Sequence, residues 1–255
     1  MSEHEHLKWQ NFWDEQAKVD DSYQAVRGDK IIPDAVQEYH DRKLVEMLNP
    51  EPGDKVLDAG CGVGDQTMLI AGFVNQVTAI DFSPVMAERC GARLKQAGAT
   101  NATTATADVT SLPYADNTFD KTMCIAVLAY LNPEEVDQAI AELARVTKPD
   151  GLLVLHIKDL WSGTGIIVTF GRFLRALIKG RPELEYQYRT HWWYKKKLRL
   201  YGMIEESYAY GTWTPFMPKK MMSWIASMEV RHRFFQKRWP HGKEYFIRTR
   251  IKNGG

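Results

Sequence analysis

The stretch Val56-Leu57-Asp58-Ala59-Gly60-Cys61-Gly62-Val63-Gly64-Asp65-Gln66-Thr67 constrains this chain more than any other. Lys55 to Ala59 reads as a short buried strand with an acid near its end. Glycines follow at 60, 62 and 64, and a helical pattern starts at about Gln66. Strand, glycine turn, helix is the entry of a doubly wound α/β sheet, and the turn is where a nucleotide-like ligand sits. Glycine is needed because the turn is tight and the backbone must approach the ligand without a Cβ in the way.

The turn also says which ligands do not fit. A dinucleotide fingerprint needs a third glycine where Asp65 stands,. No Gly-Lys-Ser/Thr run follows, so a P-loop is excluded. Asp58 and Asp65 flank the turn, and two carboxylates repel a pyrophosphate. An acidic glycine turn suits a ligand with cationic groups.

Further blocks follow in order. Val77-Thr78-Ala79-Ile80-Asp81-Phe82-Ser83 reads as a second strand ending in an acid, 21 residues beyond Gly60. An acid at about that spacing can accept hydrogen bonds from ribose hydroxyls. Then come Ala107-Asp108-Val109 with Leu112-Pro113-Tyr114, Phe119 to Cys124, and Leu143 to Gly151 before an apolar strand. Together these blocks, over roughly residues 45–160, resemble the class I S-adenosylmethionine-dependent methyltransferases, in particular their small-molecule branch. That ligand carries a sulfonium and an ammonium and no phosphate.

The resemblance implies a cofactor cradle. Gly60, Cys61 and Gly62 would offer backbone to the methionine and ribose end, and Asp58 would hold the ammonium side, directly or through water. Asp81 would bind the ribose hydroxyls. Phe82 and Met86 would pack on adenine. Asp108 would accept from the adenine amino group, and the Val109 N–H would donate to a ring nitrogen. Ile125 would line the methionine.

The acceptor side is less defined. Methyl transfer is an in-line displacement, so holding donor and acceptor in line supplies much of the rate. A base for the acceptor's proton can add to it. Candidates are Tyr130 after the fourth strand, His156 at the end of the fifth with Lys158 and Asp159, and His191 at the start of a basic helix. Relatives with a Leu-His-His-like run carry histidine near Tyr130, and Val127-Leu128-Ala129-Tyr130 departs from that. Methylases of adenine or glutamine amino groups carry Asn-Pro-Pro-Tyr after the fourth strand. Here Cys124-Ile125-Ala126-Val127 stands instead, which counts against a base-modifying enzyme.

Alternating strands (55–59, 76–80, 103–106, 119–124, 151–157) and helices (66–73, 84–97, 133–147) predict a Rossmann-like, doubly wound α/β fold with a mostly parallel sheet. The resemblance adds an antiparallel final strand. Residues 1–33 are expected as an N-terminal helical lid segment, with a helix at about 7–18 carrying Trp9, Phe12 and Trp13. Residues 34–159 are expected as the cofactor-binding core. A helix over 35–48 opens it, and Asn49 to Asp54 ends that helix in a turn. Residues 160–255 complete the sheet at about 189–210 and 244–252. The Arg189–Leu198 helix is expected to stop at Gly202, and Asp150-Gly151 to turn the chain into the fifth strand. Cap insertions are expected over 160–188 and 211–243, with amphipathic helices at 166–179 and 221–228.

Charge divides the chain. Residues 1–159 hold 14 Lys+Arg against 26 Asp+Glu, and residues 160–255 hold 19 against 6. Such asymmetry points to an anionic partner for the C-terminal part. Cys61, Cys90 and Cys124 show no metal-ligand spacing, and their small odd number fits a reduced, cytoplasmic setting,. No apolar run approaches the ~20 residues that span a bilayer. The expected activity is methyl transfer to a small or lipid-like acceptor, with O-methylation favoured and an anionic membrane surface as a partner. Two rivals stand beside it: an RNA methyltransferase, with nucleic acid the weaker partner, and a non-catalytic cofactor-binding module. The oligomeric state is open.

Overall fold

The computed structural model describes residues 3–18, 34–159, 189–210 and 244–252, together with positions 170, 171, 174, 177 and 187. Seven strands form one sheet in the order β3-β2-β1-β4-β5-β7-β6. They are β1 (Lys55–Ala59), β2 (Gln76–Asp81), β3 (Ala102–Thr106), β4 (Phe119–Ile125), β5 (Thr147–Lys158), β6 (Gly202–Tyr210) and β7 (Glu244–Ile251). The first five run parallel. β7 inserts antiparallel between β5 and β6. The helices are α1 (Glu3–Gln16), α2 (Asp34–Leu48), α3 (Asp65–Ala71), α4 (Pro84–Gln96), α5 (Pro133–Val146) and α6 (His191–Leu198). A 3-10 turn spans Leu128–Tyr130.

Both faces of the sheet are covered, which explains why its strands read as nearly continuous apolar runs. Leu57, Ile80, Leu153, Leu155 and Ile247 meet Val136, Ala139, Ile140 and Leu143 of α5 and Tyr194 and Leu198 of α6. On the other face Val56, Val77, Met123, Val154 and Phe246 meet Tyr39, Leu44, Met47 and Leu48 of α2 and Ile70 of α3. The apolar positions of α5 recur at three and four residues, so one stripe faces the sheet. Its start is fixed locally. Asn132 accepts from the Glu135 N–H at 2.9 Å, Glu135 accepts from the Asn132 N–H at 2.9 Å, and Pro133 occupies the first turn,.

Two turn expectations need correction. Asp150-Gly151 does not precede β5 but lies inside it. Phe119 pairs with Thr147 and Lys121 with Leu152, so β5 advances five residues while β4 advances two. Asp150 takes φ 62° within that irregularity, and a Cβ on Gly151 would lie 2.6 Å from the Asp120 carbonyl oxygen. The second correction concerns Gly202. α6 ends at Leu198, and Gly202 is the first residue of β6. A Cβ there would lie 2.3 Å from the Arg250 carbonyl oxygen. Close approach of β7 explains this glycine, not a helix stop.

α1 starts four residues earlier than the aromatic spacing implied. The expected helices at 166–179 and 221–228 fall outside the described residues, apart from Phe170, Gly171, Leu174 and Leu177. Of these, Phe170, Leu174 and Leu177 are exposed.

Candidate functional site

The site lies at the carboxyl ends of β1, β2, β4 and β5, where ligands of open α/β sheets bind. Its floor is the turn after β1. Gly60, Gly62 and Gly64 all take positive φ (88°, 53° and 90°), a region where a Cβ is disfavoured. The Gly60 and Cys61 N–H groups both donate to the Ile80 carbonyl at 2.8 Å, which ties the turn to β2. A Cβ on Gly60 would fall 2.0 Å from Val127 Cγ2, so the turn also abuts the exit of β4.

Asp81 ends β2 and organises the turn. Its Oδ2 accepts the Gly62 N–H at 2.8 Å, and its Oδ1 accepts the Ser83 N–H at 2.9 Å. Each carboxylate oxygen has two lone-pair sites, so these two bonds leave capacity for a ligand hydroxyl. Burial pushes the Asp81 carboxyl up, and the three backbone N–H groups of Ser83, Gly62 and Phe82 act against it. Ser83 also caps α4, accepting the Met86 N–H at 3.0 Å,.

Asp58 is placed differently. It is 1% exposed and points to the α3 side of β1, where it accepts the Thr67 hydroxyl at 2.6 Å. Burial raises its carboxyl from 3.8 to about 7, against the Thr67 hydrogen bond and helped by the Asp81 charge,. A direct contact with a ligand is not available to it in this arrangement. Its sign for stability is the reverse of an ion-paired acid. Between pH 4 and 7 the native state binds more protons than the unfolded chain, so Asp58 makes stability fall as pH rises through that window, then level off. Without cofactor, Asp58→Asn is expected to flatten that slope. The variant should gain on wild type by up to roughly 4 kcal/mol at pH 8, measured as urea midpoints from pH 4.5 to 8. A wild-type slope unchanged by the substitution would count against a protonated Asp58.

Asp108 follows β3. Its Oδ1 accepts the Thr110 N–H at 2.8 Å and the Thr110 hydroxyl at 2.7 Å, and its Oδ2 lies 3.3 Å from His6 Nε2. Phe82 is half-buried, while Met86 and Val109 are buried. Ile125 closes β4, and the next residue, Ala126, takes φ 62° as the chain turns into the 3-10 segment. Cys61 is 4% exposed, and its thiol is pushed well up by a hydrogen bond with Cys90 and by burial, which keeps it un-ionised and inert,.

α1 lies across this edge. The His6 ring meets Phe82 edge-on at 4.3 Å. Trp9 and Trp13 meet Tyr130 at 4.9 and 5.2 Å, both close to perpendicular. Asp14 accepts the Ser83 hydroxyl. Ala17 is buried against Val63 and Met86, and its carbonyl accepts Arg89 Nη1 at 2.6 Å. His6 and Asp14 were not legible from sequence, because each reaches the site through a contact distant in the chain.

The three acceptor-side candidates separate. Tyr130 is half-buried within the Trp9–Trp13 cluster. His191 is 3% exposed. Its backbone N–H donates to Asp159 Oδ1 and its Nδ1 to Asp159 Oδ2, both at 2.8 Å, which leaves Nε2 as the basic nitrogen of the neutral ring,. The ring stacks on Tyr245 at 4.4 Å and 8°. Arg189 fastens this segment to the 3-10 turn through the Leu128 and Leu131 carbonyls, at 3.2 and 2.6 Å. His156 alternates to the other face of β5, where it packs against His40 at 5.0 Å and Phe246 at 4.7 Å. It is 5% exposed and does not join the other two.

A model described as "Methyltransferase domain" matches residues 56–151. Those residues run from β1 to the bulge of β5 and hold every cofactor-side candidate. Residues 56–151 form a methyltransferase domain of the class I S-adenosylmethionine-dependent kind. It is 32% identical over 131 residues to the ubiquinone/menaquinone biosynthesis C-methyltransferase UbiE of Bdellovibrio bacteriovorus, which covers 51% of this chain and 54% of that protein. It is 32% identical over 119 residues to sterol methyltransferase-like 2 of Botryococcus braunii, covering 46% of this chain and 30% of that one. The chain thus spans about half or less of these relatives. Among solved structures, a phosphoethanolamine N-methyltransferase of Haemonchus contortus aligns over 100% of this chain and 51% of its own, with TM-score 0.70 and 16% identity. A methyltransferase of Bacillus halodurans aligns over 84% and 99%, with TM-score 0.63 and 16% identity. Both share the Rossmann-like fold.

The cofactor of this family fits the residues present. The glycine turn has positive φ where a Cβ would fill the cradle, and Asp81 keeps acceptor capacity beyond its two backbone bonds. The acids Asp81 and Asp108 give the edge the negative potential that a sulfonium and an ammonium require.

Proposed function

We propose that this chain transfers the methyl group of S-adenosylmethionine to a small, lipid-like organic acceptor, with oxygen the favoured atom, at an anionic membrane surface. The observation that supports it is one juxtaposition. The acid-flanked glycine turn and the half-buried Trp9–Trp13–Tyr130 cluster share one sheet edge, with the Asp159–His191 pair at the end of β5.

When bound, S-adenosylmethionine supplies a methyl group on a sulfonium, an electrophile that needs no metal. Asp81 holds the ribose hydroxyls, and Gly60, Cys61 and Gly62 bring backbone to the methionine and ribose end. Ile125 lines the methionine. Phe82, Met86, Asp108 and Val109 form the adenine end, and Asp58 acts on the ammonium side through water. Tyr130, with Trp9 and Trp13, gives an apolar acceptor a wall of aromatic faces and edges. His191 takes the acceptor's proton at Nε2 while Asp159 fixes its tautomer and stabilises the imidazolium. A base placed here suits an acceptor that gives up a proton as it is methylated, and a hydroxyl is the acceptor proposed.

The similarity to quinone and sterol methyltransferases supports an apolar acceptor. Residues 160–255 carry 19 Lys+Arg and 6 Asp+Glu. Phe170, Leu174 and Leu177, at helical spacing, are 61%, 44% and 69% exposed. A segment of basic composition with exposed large apolar residues suits an anionic leaflet, where each Lys or Arg near the surface is worth about 1 kcal/mol. No helix among the described residues is long and apolar enough to cross a membrane. The enzyme would act from the cytoplasmic side.

Methyl-labelled S-adenosylmethionine, offered with a panel of quinols, sterols, phenols and RNA, tests the acceptor. Label in the organic extract, on oxygen by mass spectrometry, is the expected result. Label in RNA, or on carbon, would replace it. Sedimentation with anionic vesicles should weaken with salt. Equal sedimentation with neutral vesicles, or none, would remove the membrane from the proposal.

A further inference from the structure

The N-terminal helix does more than cover the edge of the sheet, and the decisive residue is His6. Its ring stands against Phe82, with centroids 4.3 Å apart and planes at 83°. Its Nε2 reaches within 3.3 Å of Asp108 Oδ2. Phe82 and Asp108 are among the side chains assigned to the adenine of the cofactor, one for packing and one for the exocyclic amine. An imidazole is a planar nitrogen heterocycle with a ring N–H, and it can satisfy both in miniature. A carboxylate at the end of a strand attracts whichever donor reaches it first.

We infer that His6 occupies the adenine subsite and competes with the cofactor, so that the N-terminal half of α1 withdraws when S-adenosylmethionine binds. The inference rests on the cofactor reading above. α1 is built for such a split. Its C-terminal end is anchored: Ala17, the residue after it, is 4% exposed against Val63 and Met86, Arg89 Nη1 holds the Ala17 carbonyl at 2.6 Å, and Asp14 holds Ser83. Its N-terminal half has lighter attachments. Leu7 is 51% exposed, and the His6 and Asp108 side chains are 33% and 30% exposed. A polar contact this accessible is worth at most about fivefold in binding, so adenine can displace the imidazole.

The displacement also reaches the acceptor side. Trp9 is one helical turn from His6 and packs on Tyr130 at 4.9 Å. Withdrawal of His6 lifts Trp9 from Tyr130 and opens the aromatic wall. The cofactor therefore enters before the acceptor, and α1 is the element that couples the two sites.

The test needs no acceptor. Binding of S-adenosylhomocysteine is measured by calorimetry and stopped-flow for wild type, His6→Ala and Asp81→Ala. His6→Ala is expected to bind about fivefold more tightly, the equivalent of a surface pair of about 1 kcal/mol. The gain should appear in the association rate, because the wild-type helix must open first. Trp9→Ala, which releases the neighbouring attachment, should also raise the association rate. Unchanged or weaker binding in His6→Ala, with Asp81→Ala still abolishing it, would overturn the competition and make His6 a wall of the pocket. If wild type and His6→Ala both fail to bind and Asp81→Ala changes nothing, the cofactor reading falls, and this inference with it.

Discussion

Asp81→Ala is expected to reduce binding of S-adenosylhomocysteine by at least a hundredfold while the protein stays folded. The two backbone donors that Asp81 holds, Gly62 at 2.8 Å and Ser83 at 2.9 Å, position the glycine turn and the start of α4. Its remaining lone pairs are assigned to two ribose hydroxyls. A hydrogen bond to a charged group contributes about 1.5–3 kcal/mol, so two account for about 3 kcal/mol or more. Gly62 is half-exposed and its N–H can turn to water. Ser83 is buried, so its N–H loses its acceptor at a cost of about 1–3 kcal/mol, while its hydroxyl keeps the Met86 N–H,. A loss of that size leaves a domain of about 5–15 kcal/mol stability folded. Asp81→Asn separates charge from shape. It retains one good acceptor oxygen but places an amide nitrogen against a backbone N–H, and it should fall between the two. Calorimetry with a urea titration of each variant makes the comparison. A variant that binds normally would remove Asp81 from the cradle. A variant that unfolds would make it a structural cap.

Gly60→Ala is expected to cost about 3 kcal/mol or more of stability and to abolish cofactor binding. Two effects add. The backbone sits at φ 88°, a conformation that costs an L-residue about 1–2 kcal/mol,. The new Cβ would lie 2.0 Å from Val127 Cγ2, which forces either the turn or the exit of β4 to move, and overpacking of this kind costs about 1–3 kcal/mol,. Moving the turn breaks the paired donation of Gly60 and Cys61 to Ile80. Gly98→Ala is the internal control. Gly98 has φ 72° but open space around its would-be Cβ, so only the backbone cost remains. Urea midpoints should place Gly98→Ala about 1 kcal/mol below wild type and Gly60→Ala well below that. Equal losses would mean that Val127 yields freely and the turn is not closely packed on β4.

The parallel half of the fold was legible because its signals are local. β1 and β2 are short apolar runs closed by acids, and the turn between β1 and α3 needs glycine for reasons held within a few residues. Asn132-Pro133 with Glu135 writes the start of α5 into four consecutive positions. Each such signal depends on φ, on hydrogen bonds within a turn, or on a periodicity of two or 3.6 residues. Asp81 and Asp108 could be singled out for the same reason, since the end of a strand in a sheet of this kind is a ligand position before any side chain is placed.

What failed was non-local. Gly202 looked like a helix stop, yet its requirement comes from the Arg250 carbonyl on β7. Asp150-Gly151 looked like a turn, yet a register irregularity against β4 absorbs it into the strand. For Asp58, beside the glycines, the sequence left open only its partner, the buried Thr67 of α3. The strand alternates its side chains between two faces, and only the position of α3 decides which face is closed.

By itself the sequence determined the doubly wound core, the glycine turn and the order of acids along the sheet edge. Those depend on covalent proximity and backbone sterics, which tertiary packing cannot reverse. Tertiary structure alone decided that His156 packs with His40 and Phe246 while His191 pairs with Asp159. It alone decided that α1 sets His6 between Phe82 and Asp108. Those contacts join residues 32 to more than 100 positions apart. Chain closure over such distances is set by which apolar faces bury together, and no local pattern encodes it.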